Sequence, residues 1–560
     1  MLIPLLVTLT GFAPASDRFD FPMQLRPAAN AELPALGLVP GALDEIAPLA
    51  QIVLTQAPLA DGRRVTLRLE RADPDTNGLV VLVDGVRTPG GLPGGGSCWA
   101  GKVEGEPDSD VFLGFSPLGS RGWILSQGEY HHFLAQPGAD GDWAHSLTRL
   151  ATETEVRALG MRSSAECAMD ALYPAGQTRR AVQEGPHSLT TTTLVCRQAI
   201  ETDYQLYQDF GSNLSAEQTY VGQLLGAANA RYVEQVNTVL NIVYLGFHTN
   251  SNDGWTSGDT GSGSVNMLYE FQGAWQNNLP NGANLAHFLS GASLGGGVAW
   301  LDVLCDSTYG FAVSGNITLQ GGLTPFPVVQ GPLNWDFMVF THETGHNFGT
   351  PHTHDWCPTP LDQCAPGGYF GSCQSQQVCT SSGTLMSYCH LCSGGMNNVY
   401  PYFHQACADL MRATAENSCL GNWCTGPANY CTAGVNQTGF PGAIAGSGST
   451  SLSANAFTLT ASQLPPNKAG FFFYGRDAVN VPLGNGVRCV GGAQLFRLPV
   501  QSSGASGVIT RQLDFTQPPL SSGNGQIAPG TLWRFQCYYR DTGYGAGFNL
   551  TDATAVPFCP

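Results

Sequence analysis

The sequence predicts an α/β (α+β) core flanked by two β-rich blocks, and three observations carry that expectation. Between about residues 194 and 420, segments with apolar residues three and four apart alternate with short apolar β-branched runs. That mixture of periods builds a sheet with helices packed on it. Before 192 and after 451 the apolar residues recur at strand spacing between turn residues, with no helical period. Glycine (70) and proline (36) are abundant over 560 residues, which favours turn-rich β structure over long helical bundles.

The elements follow in chain order. Residues 1–15 form an apolar run ending Ala13-Pro14-Ala15 before Ser16, the pattern of a cleaved secretory signal. Residues 16–192 form the first block, with strands expected at 64–69, 79–84, 110–115 and 123–125. It ends in a polar stretch holding Arg179-Arg180, an exposed place to be cut. The core, 193–422, should contain helices at 216–235, 264–279, 334–348 and 402–417, and strands at 236–247 and 297–304. For the third helix, Asn334 and Asp336 are both cap candidates. A Gly/Asn/Ser/Thr-rich linker is expected at 423–450, then a sandwich-like all-β block at 451–560 with strands at 457–461, 470–474, 493–499 and 533–539.

Charge and cysteine content narrow the function classes. The net charge is −18 with only 12% charged residues, a surface that repels phosphate backbones, so nucleic acid and anionic membranes are poor partners. No later run reaches the roughly 20 apolar residues of a membrane span. Seventeen cysteines suit an exported, disulfide-bonded protein. Cys489 and Cys537 are a candidate bond in the last block, and the His131-His132 pair reads as surface decoration.

The chemistry concentrates at residues 342–352, which read HETGHNFGTPH, the spacing H-E-x-x-H-x-x-G-x-x-H. Four residues apart on a helix, His342 and His346 leave one face and can grip one metal ion. Gly349 can take a left-handed conformation that stops the helix, so that His352 returns as a third ligand. Three imidazoles leave one tetrahedral position open, the mark of a catalytic rather than structural zinc site. Glu343, beside the first ligand, is placed to accept a proton from zinc-bound water and pass it to a leaving amine. His354 is a second-choice ligand.

This segment resembles the metzincin zinc metalloproteases, nearest the reprolysin-like (adamalysin/ADAM, M12B-type) branch and its secreted bacterial relatives. The resemblance covers roughly residues 195–422. It implies a twisted mixed sheet, a cleft along the run from Gly297 to Leu304 that holds an extended protein or peptide substrate, and peptide-bond hydrolysis of the zinc metalloendopeptidase (EC 3.4.24) type. Residues 383–390 (GTLMSYCH) match the family's methionine turn, which makes Met386 a support beneath the zinc. Tyr388, two residues on, matches the switchable tyrosine ligand of astacin- and serralysin-like members. Cys305 and Cys419 occupy the places of a family disulfide. Thr353 stands where reprolysins usually carry Asp after the third histidine. Calcium is admitted by analogy, but no acidic loop supports it.

Residues 97–105 (SCWAGKVEG) resemble reprolysin propeptides, which implies a zymogen whose metal is silenced by a thiolate. Cys167 is the first candidate for that thiol and Cys98 the second; the two could instead pair with each other. The C-terminal block carries no cluster of reactive residues and is expected to make glycan or surface contacts. The expectation is therefore a secreted zinc endopeptidase made as a zymogen. The rival is a secreted adhesion or binding protein that keeps a catalytically silent metzincin fold, and the intact His342, Glu343, His346 and His352 weigh against it.

Overall fold

The computed structural model describes residues 18–26, 35–46, 51–74, 76, 79–88, 96–136, 147–152, 166–172, 193–317, 335–369, 373–423, 426–450, 452, 455–492, 494–527 and 531–558. Residues 1–15, expected to be a signal sequence, the Arg179-Arg180 stretch and Asn334 lie outside them. The chain is mixed α/β with several sheets, and its contacts divide it into two units, Met1–Gly421 and Asn422–Pro560.

The first unit opens with an eight-stranded sheet running from Arg18–Asp20 through Gln51–Pro58, Arg64–Arg71, Ser97–Val103, Asp110–Phe115, Ser120–Ser126 and Glu129–Gln136 to Leu147–Thr152. Strand alternation splits its side chains between two cores. Trp99, Leu113, Phe115, Ile124 and Phe133 face one core of their own. Phe112, Trp123 and Tyr130 face the other way and join the core built by later residues. Both faces are covered, so no face remains for the expected surface histidines. His131 and His132 are 1% and 0% exposed, a correction to the sequence reading, and burial pushes His132 down to about 3.

The second sheet carries the site. In chain order its elements are β1 (Val80–Val83), β2 (Val86–Thr88), β3 (Glu166–Cys167), β4 (Leu194–Thr202), helix α1 (Leu214–Val236), β5 (Thr238–Phe247), α2 (Ser264–Trp275), β6 (Leu285–Leu289), β7 (Gly296–Ala299), β8 (Phe311–Ser314), α3 (Trp335–Asn347) and α4 (Gln405–Glu416). The strand order is β3-β7-β8-β6-β4-β5-β1-β2. Pairs β7/β8 and β1/β2 are antiparallel, and the other pairs along that order are parallel. The run at 79–84, read as part of the first block, thus extends the second sheet by pairing with β5. The β7 strand is shorter than the expected 297–304 because the chain bends after Ala299.

α1 begins at an Asn213 cap, whose side chain accepts from the Ala216 N–H, and ends at Asn237 in the left-handed conformation. One side of α1 meets the first sheet: Arg231 pairs with Asp110 at 2.9 Å, Gln223 donates to the Gly119 carbonyl at 3.0 Å, and the Arg121 guanidinium lies over the Tyr220 ring. Trp123 meets Phe337 of α3, ring centroids 5.6 Å apart. Disulfides Cys305–Cys419, Cys357–Cys373, Cys364–Cys389 and Cys379–Cys392 tie the loops around α3 and α4. Five disulfides among the described residues, with no helix there long and apolar enough to cross a membrane, are compatible with an extracellular protein.

The second unit is built from strands and turns. A sheet including Ala469–Gly475, Thr531–Arg540 and Phe548–Phe558 shares one core with the three-stranded sheet Ala443–Gly448, Phe457–Ser462 and Ile509–Gln512. The stretch expected to be a linker supplies two of its strands, Ala428–Tyr430 and Ala443–Gly448. Its polar, glycine-rich composition fits strands whose residues are mostly half-buried or exposed. Cys489 bonds Cys431, and Cys537 is a buried free thiol, correcting the expected Cys489–Cys537 pair. Neighbours on a strand point to opposite faces. Gln536 faces Cys489 and accepts its N–H at 2.9 Å, so Cys537 faces away.

Candidate metal centre

α3 brings the first two histidines together. His342 and His346 are one turn apart on the same face, ring centroids 4.6 Å apart. The helix stops where Gly349 adopts φ +94°, and a Cβ there would lie 2.8 Å from Thr414 Oγ1, so glycine meets both the backbone and the space requirement. The Gly349 N–H donates to the His346 carbonyl at 2.9 Å, and the chain folds back to His352. The three Nε2 atoms then sit 3.0 Å (342–346), 3.2 Å (346–352) and 3.2 Å (342–352) apart.

The other ring nitrogens set the tautomers. His342 Nδ1 donates to the Leu385 carbonyl at 2.6 Å and His346 Nδ1 to the Thr350 carbonyl at 2.8 Å. A neutral imidazole protonated on Nδ1 presents a bare lone pair at Nε2. Two such lone pairs therefore face each other at 3.0 Å, and no hydrogen bond between them can relieve the repulsion. Burial pushes His342 down to about 3, so the ring stays neutral. Three converging imidazoles, two of them held from behind by a backbone carbonyl, are the donor set and part of the outer shell of a zinc site. The residues present fit that ion.

Glu343 is fully buried beside this cluster, and desolvation pushes its carboxyl well above the usual range, with a Cys167 hydrogen bond acting in the opposite direction. Cys167 reaches the centre from β3. Its Sγ is 3.4 Å from Glu343 Oε2 and 3.5 Å from His346 Nε2, and the donor atoms of Cys167, His342, His346 and His352 all lie within 4.8 Å of one another. The backbone around it is held as an added strand: Cys167 pairs with Gly297, and the Ala168 N–H donates to the Gly297 carbonyl at 2.7 Å.

Met386 is buried against α3, where a Cβ on Gly345 would lie 2.8 Å from its sulfur, and its carbonyl accepts the Thr353 N–H at 2.9 Å. The Tyr388 hydroxyl donates to the Cys167 carbonyl, and its ring centroid is 4.3 Å from that of His352. His354 stacks on His352 at 5.0 Å and groups with His352 and Asp355 instead of joining His342 and His346. Cys98 is elsewhere: it packs on α1, where a Cβ on Gly226 would lie 2.6 Å from its sulfur. It does not bond Cys167, and burial pushes its thiol well up, which suits packing better than thiolate chemistry.

Two supporting residues escaped the sequence reading. His287 of β6 sits beneath α3, with Nδ1 3.2 Å from Thr344 Oγ1 and Nε2 2.7 Å from Ser314 Oγ. Asn347 ends α3 and donates to the Trp300 and Phe311 carbonyls, tying the helix to the two strands beside it. Nothing in the apolar run around His287 signals its partners, which come from β8 and α3. Beside Cys167 a residual cavity of about 10 Å³ is lined in part by Trp335, Met338 and His390, no larger than one water needs.

Residues 192–400 match the family model Reprolysin_5, Metallo-peptidase family M12. That match agrees with the resemblance carried by the motif: the segment is reprolysin-like, and a zinc protease is the activity it supports. No curated protein matches the chain. Among solved structures, the crystal structure of metalloproteinase-II from Bacteroides fragilis is similar at 9% identity. The similarity covers 67% of this chain and 95% of that one, with a TM-score of 0.35.

Proposed function

We propose that the chain is a secreted zinc-dependent endopeptidase made as a zymogen. In this reading 1–15 is the signal peptide, 16–192 the propeptide and 193–422 a metzincin-type catalytic domain. The β accessory block at 451–560 takes in two strands from the stretch 423–450 before it. The observation that carries the reading is the meeting of three Nε2 atoms within 3.2 Å, next to a buried carboxyl.

His342, His346 and His352 would hold one zinc ion, joined by Cys167 in the precursor. When bound, zinc supplies Lewis acidity, polarising the scissile carbonyl and acidifying water. The chain's own residues do the rest. Backbone groups of β7 hold an extended peptide, through the same Gly297 carbonyl that now accepts the Ala168 N–H. Glu343 takes a proton from the attacking water and returns it to the leaving amine. Tyr388, released from the Cys167 carbonyl, turns its hydroxyl toward the developing oxyanion. Cys167 blocks the centre until the propeptide is cut.

The mature enzyme should contain one zinc per chain and digest casein, and a chelator should abolish the activity. Glu343→Ala should keep the zinc and lose activity; a fully active Glu343→Ala protein ends this reading. Tyr388→Phe should lower kcat about 10²–10³-fold if its hydroxyl serves the oxyanion, and an unchanged kcat removes that role. In the second unit, Phe440 and Tyr544 are exposed and would carry any glycan contact. Substituting both with alanine should weaken retention on an insoluble polysaccharide, and equal retention excludes that contact.

A further inference from the structure

We propose that Gly297 is a positioning residue for Glu343: the side chain it lacks is the slot in which the carboxylate stands. The inference rests on the reading of Glu343 as the proton carrier and assigns what holds it in place.

A Cβ built on Gly297 would lie 2.4 Å from Glu343 Oε1, 2.8 Å from Glu343 Cδ and 2.5 Å from Val339 Cγ2. Real Cβ contacts essentially never fall below 3.0 Å. Val339 and Glu343 are four apart on α3 and share the face that meets β7, so strand and helix approach at a distance only a glycine permits. Glu343 Oε2 is turned toward the Cys167 thiol, while Oε1 has no hydrogen-bond partner among the described residues. On the Oε1 side the carboxylate is therefore placed by contact with the Gly297 backbone rather than by a donor. The same glycine's carbonyl holds the added strand through the Ala168 N–H. One Cα thus fixes both the register of a bound chain and the position of the base, which keeps their separation constant. Gly297 does not have a positive φ, so alanine is conformationally allowed there and would act through the clash alone.

The test is Gly297→Ala in the mature enzyme. Displacing the carboxylate by the width of a methyl group should lower kcat by about 10²-fold. KM for a fluorogenic peptide should stay within about threefold, with zinc content and circular dichroism unchanged, because the binding edge remains. Glu343→Asp, one methylene shorter, relieves the clash with the carboxylate and leaves only the one with Val339 Cγ2, so the double variant Gly297→Ala/Glu343→Asp should be at least about tenfold more active than the product of the single losses. Gly273→Ala, whose Cβ would meet nothing within 4 Å, is the neutral control. A wild-type kcat in Gly297→Ala beside an inactive Glu343→Ala overturns the positioning role and leaves the proposed function standing. Strictly multiplicative losses in the double variant, or a loss of zinc or fold that Glu343→Asp does not reverse, overturn it equally.

Discussion

Residues before 173 cover both edges of the sheet that carries the site, and they do so in contrasting ways. At the β7 edge the pairing among the described residues is Glu166 with Gly296 and Cys167 with Gly297, joined by the Ala168 N–H on the Gly297 carbonyl, the Tyr388 hydroxyl on the Cys167 carbonyl and one thiol. At the opposite edge β1 pairs with β5 over four positions, from Tyr244 with Val80 to Phe247 with Val83. Asp84 adds two bonds there, accepting from the Thr249 N–H at 2.8 Å and from its hydroxyl at 2.5 Å. Val81 lies in the same core as Leu245, Phe247, Phe112 and Trp123. The strand pairing beside Cys167 is half as long as the pairing at the far edge. In the proposed zymogen, inhibition by Cys167 and anchoring of the segment should therefore be separable.

Three substitutions break or sharpen that contrast. Trp123→Ala empties a position 1% exposed, packed between Phe112 and Phe337, and should destabilise the precursor by about 3–5 kcal/mol in urea denaturation followed by circular dichroism. Val81→Ala removes two methyl groups at the far edge and should cost about 1–2 kcal/mol in the same experiment. Cys167→Ser should cost about 1 kcal/mol or less, yet the uncut precursor should now cleave a fluorogenic peptide that wild-type precursor leaves intact. If Cys167→Ser destabilises the precursor as much as Trp123→Ala does, the near edge is an anchor too and the separation fails.

The same contrast marks what a sequence can reveal. The pairing of His342 with His346 is local: four positions on a helix fix a common face, and Gly349 fixes the return to His352, so the centre was legible from eleven residues. Met386 was legible only through the family's methionine turn, because its contact with Gly345 joins segments far apart in the chain. Residues 80–83 were legible as a strand but not as a strand of this sheet. Alternation specifies a pleat and leaves the partner open, so only the structure assigns them to β5. His131 and His132 were misread for the opposite reason. In a sheet covered on both faces a polar residue no longer signals solvent, and nothing in their own segment records the second cover. His287 illustrates the limit, since both of its partners come from other elements.

The smallest expected effect lies at the far edge and depends on pH. His248 follows β5 directly, with Nε2 2.7 Å from Glu201 Oε1. Burial works to lower its pKa, but the Glu201 hydrogen bond and charge, with the charges of Asp253 and of Asp84 from the β1–β2 turn, raise it above the ordinary value. A group whose folded pKa is raised contributes stability that is fully present below the unfolded value, about 6.5, and is lost as pH climbs through the higher folded value. The far edge should therefore loosen as pH rises above about 6.5. Hydrogen exchange of the 80–84 amides, corrected for intrinsic rate, should show protection falling over that interval. His248→Gln keeps a donor for Glu201 without a proton to lose, so it should flatten the profile. A glutamine variant whose 80–84 protection still falls with pH as in wild type would show that His248 is not the titrating group.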